Sequence, residues 1–137
     1  MSDYHKNHDD WNNVKKILNW MEIPLIFEEC EIWWIAYGVN IGNEIDGKGT
    51  EYGRPALIIK KFNDYSFFAV PLSVIKNFKP NIHVPILHPS LKSDTCAVLI
   101  QARSFGNERL LERIGVLDCR QFELIVNRIL NTLDPRK

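Results

Sequence analysis

Residues 31–60 read EIWWIAYGVNIGNEIDGKGTEYGRPALIIK, and they limit the possible folds more than any other stretch of the chain. From Ile32 the side chains alternate. Ile32, Trp34 and Ala36 point one way, and Trp33, Ile35 and Tyr37 the other. Both sets are apolar, so this strand must be covered on both faces. A glycine-punctuated loop follows and ends in Gly53-Arg54-Pro55, immediately before a second apolar strand at Ala56–Lys61. Further strands are expected at Ser66–Leu72, Ile82–Leu87 and Cys96–Ala102, separated by turn residues at Asn63-Asp64, Lys79-Pro80-Asn81 and His88-Pro89-Ser90. Five short strands with no helix between them predict an antiparallel sheet that curls into a small barrel.

Helices flank this β region. Asp9 or Asp10 can cap an N-terminal helix whose apolar stripe is Trp11, Val14, Ile17, Leu18 and Met21, with Pro24 ending it. The stripe is too narrow to be a core by itself, so the helix should dock on the main domain or on a partner. Asp118, with Gln121 in capping-box position, starts a C-terminal helix with the stripe Phe122, Ile125, Val126, Ile129, Leu130 and Leu133. Arg109–Leu117 is ambiguous between strand and helix by pattern alone. At 137 residues the chain fits one globular domain. The expected division is an acidic arm and amphipathic helix over residues 1–28, then a β-barrel domain with its C-terminal helix over residues 29–137.

The net charge is zero but unevenly spread: residues 1–31 carry −4 and the remainder +4. A basic body suits a phosphate-bearing partner, although a solvated acidic arm ahead of a mildly basic domain would look the same. No apolar run approaches the ~18 residues of a membrane span, and the polar start is not that of a signal peptide. Cys30, Cys96 and Cys119 share no metal-ligand spacing, which fits a reduced, cytoplasmic protein with no metal and no cofactor.

Several residues could carry chemistry. The loop glycines allow close backbone approach to a ligand, and Glu44 and Arg54 frame the loop. Arginine offers a planar fork of donors that suits a phosphate, but a structural ion pair is an equally ordinary use. Ser73, at the end of the third strand, can bind a phosphate oxygen or cap a turn. Gln101 and Arg103 alternate onto one face at the end of the fifth strand, where an amide and a guanidinium can read a base edge and hold a phosphate. His83 is expected on a strand surface rather than in catalysis.

Together these stretches resemble the MazF/PemK toxin family. The family pairs an apolar strand with a glutamate-bearing loop that closes on Gly and Arg-Pro, matched here by EIWWIA, Gly42-Asn43-Glu44-Ile45 and Gly53-Arg54-Pro55. A Val-Pro motif followed by a hydroxyl residue is matched by Val70-Pro71-Leu72-Ser73. A strand end bearing glutamine and arginine, then a basic stretch, is matched by Ile100-Gln101-Ala102-Arg103 and by Arg109–Leu117. The similarity runs in order from about Glu31 to Leu133.

The resemblance implies an SH3-like β-barrel, usually homodimeric, with Arg109–Leu117 as strand. It implies metal-independent cleavage of single-stranded RNA, restrained by a cognate antitoxin. Glu44, Arg54 and Ser73 would be the catalytic residues, and Gln101 and Arg103 would bind the substrate. In that scheme the RNA 2′-hydroxyl attacks the adjacent phosphorus, leaving a 2′,3′-cyclic phosphate and a free 5′-hydroxyl. Glu44 is the natural general base and Arg54 stabilises the developing charge. The chain departs from the family in its longer loop, Ile45–Gly53, in Ser73 for threonine, and in Asn43, Val98 and Ile100, which stand where some relatives use His, Arg and Asp. Those losses leave open a non-catalytic barrel that binds RNA or an antitoxin-like peptide. The charge split also suggests that the acidic arm shields the RNA groove; the alternative is that its helix merely extends the core or a dimer contact.

Overall fold

The doubly apolar strand lies inside a sheet, as its pattern demands. A computed structural model describes residues 6–19, 25–38, 46–47 and 52–137. Within them the elements run α1 (His8–Asn19), β1 (Glu31–Ala36), β2 (Gly53–Asn63), β3 (Ser66–Val74), β4 (His83–Pro85), β5 (Thr95–Val98), β6 (Arg103–Gly106), β7 (Leu110–Val116) and α2 (Cys119–Leu133). The strand order is β4-β5-β3-β2-β1-β7, and β6 also pairs with β3. Every pairing is antiparallel.

This α+β sheet is open, which corrects the expected closed, SH3-like barrel. Its end strands β4 and β7 do not pair with each other. The physical reason is at β4, which has only three residues and ends in Pro85, a residue without a backbone donor. The segment after β4 is instead held by side-chain contacts to α2 and β7. The Gln121 amide donates to the Leu87 carbonyl at 2.9 Å and accepts from the Leu87 N–H at 2.7 Å. The His88 ring lies against Gly115, where a Cβ would stand 2.7 Å from Nε2.

The expected fifth strand is also divided. Thr95–Val98 pairs with the second half of β3 and Arg103–Gly106 with the first half, both antiparallel. A 3₁₀ turn at Leu99–Gln101 lies between them, anchored where the Leu99 N–H donates to the Ile82 carbonyl at 2.8 Å. Arg109–Leu117, ambiguous by pattern, contains strand β7 (Leu110–Val116).

The sheet carries a core on each face. One contains Ile32, Leu57, Val70, Leu72, Val84, Leu99 and Leu117, closed by Ile125 and Ile129 of α2. The other contains Phe27, Trp33, Ile35, Tyr37, Ile58, Phe67, Phe105 and Leu110. Trp34 is the member of β1 left substantially exposed. In α2 the predicted stripe is only partly buried, since Leu130 and Leu133 face solvent. Asp118 caps the helix by accepting from the Gln121 N–H at 3.3 Å, but the Gln121 side chain goes to Leu87 rather than back to the cap, so half of the capping box forms. In α1, Trp11 and Leu18 are buried with Val14 packed against them, while Ile17 is exposed; Met21 and Pro24 lie outside the described residues. Among the described residues no helix is long and apolar enough to cross a membrane.

Candidate functional site

At the β1–β2–β3 end of the sheet a cleft of about 290 Å³ is lined by Trp34, Arg54, Pro55, Leu72, Ser73, Lys92 and Thr95 among others. The register explains how distant residues meet. Ala56 pairs with Pro71, so Arg54 and Ser73, each two residues further along, arrive at the same end of the β2–β3 ladder. Gly53 is required beside them, because a Cβ there would stand 2.5 Å from Trp34 Nε1.

Arg54 is buried, with 7% of its surface exposed. Its Nε donates to the Asp46 carbonyl at 2.8 Å and its Nη1 reaches the Leu72 carbonyl at 3.5 Å. Backbone oxygens therefore help to orient the guanidinium at the wall of the cleft. Ser73 is half-buried beside it. A fixed guanidinium and a hydroxyl facing shared space can hold a phosphate by two of its oxygens. Lys92 adds a cation that sequence reasoning missed. It lies just beyond the His88-Pro89-Ser90 turn, and no local pattern ties that segment to Arg54.

The other predicted residues fall elsewhere. Glu44 lies outside the described residues. Gln101 ends the 3₁₀ turn and its carbonyl accepts from the Tyr37 hydroxyl at 3.0 Å. Arg103 opens β6, with its guanidinium 4.6 Å above the Phe105 ring. Neither lines the cleft of Arg54 and Ser73. Their expected shared strand face is lost, because the turn separates them. Arg103 instead neighbours Arg109, whose pKa is lowered by burial and by the Arg103 charge.

His83 is buried, and its Nδ1 accepts from the Lys79 N–H at 3.0 Å. Burial, helped by Lys79, lowers its pKa, so the ring serves as a neutral acceptor in a turn. Among the described residues no group of His, Cys, Asp and Glu is arranged to hold a metal ion.

Residues 28–133 match the family described as the PemK-like, MazF-like toxins of type II toxin–antitoxin systems. No curated protein matches. Among solved structures the chain is similar to MazF (Form-I) from Deinococcus radiodurans, with TM-score 0.64 and 15% identity over 80% of this chain and 97% of that one. It is also similar to an endoribonuclease in complex with its cognate antitoxin from Mycobacterial species, with TM-score 0.57 and 12% identity over 79% and 95% of the two chains. A further similar structure is the Mycobacterium tuberculosis toxin MazF-mt6, with TM-score 0.51 and 16% identity over 66% and 94%. At these identities the structural likeness establishes the fold, while the family match covers most of the sequence.

Proposed function

The chain belongs to the PemK-like, MazF-like toxins of type II toxin–antitoxin systems, and we propose that it is an endoribonuclease cleaving single-stranded RNA without a metal. The observation that carries this reading is the meeting of Arg54 and Ser73 in one cleft, beside a third donor, Lys92.

The proposed step needs no nucleophile from the protein. The RNA 2′-oxygen attacks the adjacent phosphorus and loses its proton to a general base, for which Glu44 is the proposed residue. The bond from phosphorus to the 5′-oxygen breaks, and that oxygen leaves as a hydroxyl once protonated. The products are a 2′,3′-cyclic phosphate and a 5′-hydroxyl. Arg54 stabilises the charge that builds on the non-bridging oxygens. Its guanidinium is oriented before substrate arrives, so little reorganisation is needed at the moment of reaction. Arginine stays protonated at any relevant pH, so it donates hydrogen bonds well and protons poorly, and the proton for the leaving oxygen comes from water or another group. Ser73 holds one phosphoryl oxygen. Gln101 and Arg103 are proposed to bind the strand away from the scissile bond. A cognate antitoxin, a homodimeric state and a cytoplasmic location complete the proposal.

The test is incubation of the purified chain with end-labelled single-stranded RNA in EDTA. Cleavage to 2′,3′-cyclic phosphate ends, lost in Arg54→Ala, supports the enzyme. Intact RNA that nevertheless binds would identify a binding module instead.

A further inference from the structure

Arg54 is oriented by a residue that the N-terminal segment in turn holds. The Asp46 carbonyl accepts from Arg54 Nε at 2.8 Å, while the Asp46 carboxylate is paired with Lys6 Nζ at 3.0 Å. That carboxylate is only 11% exposed. Removing the lysine would take a partner from a carboxylate largely shielded from water, where an ion pair counts for more than on the surface.

A second set of contacts reaches the same stretch from α1. Trp11 is buried, and its indole fills the space that a Cβ on Gly38 would need. Gly38 has φ +92, so it needs glycine for its backbone as well as for this packing. Trp11 meets Tyr52 edge-on at 5.7 Å, and the Tyr52 hydroxyl donates to Asp10. The Tyr52 carbonyl accepts from the N–H groups of Tyr37 and Gly38 at 2.9 and 3.1 Å, and the Gly38 carbonyl accepts from Gly47 at 2.7 Å. The exit from β1, the entry to β2 and the Asp46-Gly47 pair between them therefore all bear on α1 or Lys6.

We propose that the N-terminal segment, which precedes the family match at residues 28–133, braces the active-site stretch and sets the Arg54 guanidinium, with Lys6 and Trp11 as positioning residues. The proposal rests on the assignment of Arg54 to RNA cleavage. It inverts the shielding expected from the charge split. Glu28, Glu29 and Glu31 are paired with Lys61, Lys60 and Arg113 along the strands. The residue that this segment sends to Asp46 is a lysine, so the contact holds a loop carboxylate in place rather than occluding a cation. The position of a catalytic group matters, because misplacements of about 1 Å cost rate steeply.

The test uses full-length chains carrying Lys6→Glu, Asp46→Lys, both together, and Trp11→Ala. Only side chains change in the exchanged pair, so the Asp46 carbonyl that holds Arg54 is kept. Lys6→Glu is expected to lower kcat about tenfold with KM within about twofold, and the exchanged pair to restore most of the loss. Trp11→Ala should lower kcat in the same way. Solvent exchange of the Arg54 Nε–H, followed by NMR, gives a readout independent of turnover: slow in the parent, faster in Lys6→Glu, and slow again in the exchanged pair. Unchanged exchange in Lys6→Glu, or cleavage as fast as in the parent or faster, overturns the brace. A parent chain that does not cleave RNA overturns the assigned activity, and the exchange rates then decide the brace alone.

Discussion

Two arginines flank the same residue of β1. Ile35 pairs with Arg54 on one side and with Leu110, the neighbour of Arg109, on the other. Both guanidinium groups donate to main-chain carbonyls, Arg54 to Asp46 and Leu72, and Arg109 to Ala36 and Tyr37. Their surroundings differ. Arg54 opens on a cleft shared with Ser73, whereas Arg109 lies 5.5 Å from the Trp11 ring and 5.7 Å from Phe105. A cation tethered by backbone oxygens is thus not in itself a reaction site. Arg109 also borders a cleft, of about 530 Å³, but it shares that space with Trp11, Lys15 and Lys16, so what suits Arg54 to chemistry is its neighbouring hydroxyl, while ring contacts suit Arg109 to stability.

Removing each arginine should separate the two regions. Arg54→Ala is expected to reduce RNA cleavage by about 100- to 1,000-fold, roughly 3–4 kcal/mol of transition-state stabilisation. Stability should fall too, by about 1–3 kcal/mol, because the Asp46 and Leu72 carbonyls lose a buried donor, so single-turnover cleavage is measured on the folded fraction given by an unfolding curve. Arg109→Met should affect stability alone, lowering it by about 2 kcal/mol through lost hydrogen bonds and ring contacts while the folded fraction still cleaves. Abolished cleavage without loss of stability in Arg109→Met would merge the two regions into one site.

Smaller effects sharpen the contrast. Ser73→Ala should cost about tenfold in kcat, in line with loss of one charge-assisted hydrogen bond, and Ser73→Thr should restore it because the hydroxyl returns. An equal loss in both variants would mean that packing, not the hydroxyl, is what the cleft uses.

The smallest effect lies away from the cleft, at the far end of β1. Burial alone would raise the Glu31 pKa, but bonds from Trp33, the Glu28 N–H and Arg113 outweigh it and hold it below its ordinary value. A depressed carboxylate stabilises the fold fully above its unfolded pKa, about 4.3, and loses that contribution as pH falls through the lower folded value. Glu31→Gln should therefore be less stable than the parent at pH 7 by at most about 1 kcal/mol, with the gap closing in acid, as read from unfolding curves at several pH values.

Much of this was legible along the chain. The alternation in β1 required cover on both faces, and two cores supply it. Arg54 and Ser73 stand out by residue type and position, and the antiparallel register brings them together. A shared face for Gln101 and Arg103 follows only from a continuous strand, which the chain does not form there. The 3₁₀ turn at Leu99–Gln101 is a tertiary choice, made where Leu99 docks into the core and its N–H finds Ile82. Lys92 was not legible, since its link to the cleft is a matter of loop path alone.

By itself, the sequence determined the order helix, β region, helix, the interior place of β1, the capped C-terminal helix and the family, because alternation, turn residues and motifs act locally or in fixed order. Whether the sheet closed was decided only in three dimensions. The pattern of five strands is compatible with a barrel, but closure needs two edges with matching donors and acceptors, and a three-residue β4 ending in proline does not offer one to β7. The docking place of α1 was decided there too. Its narrow stripe predicted only that it must dock, while the cavity above Gly38 chose where, and so placed Lys6 against Asp46 beside Arg54.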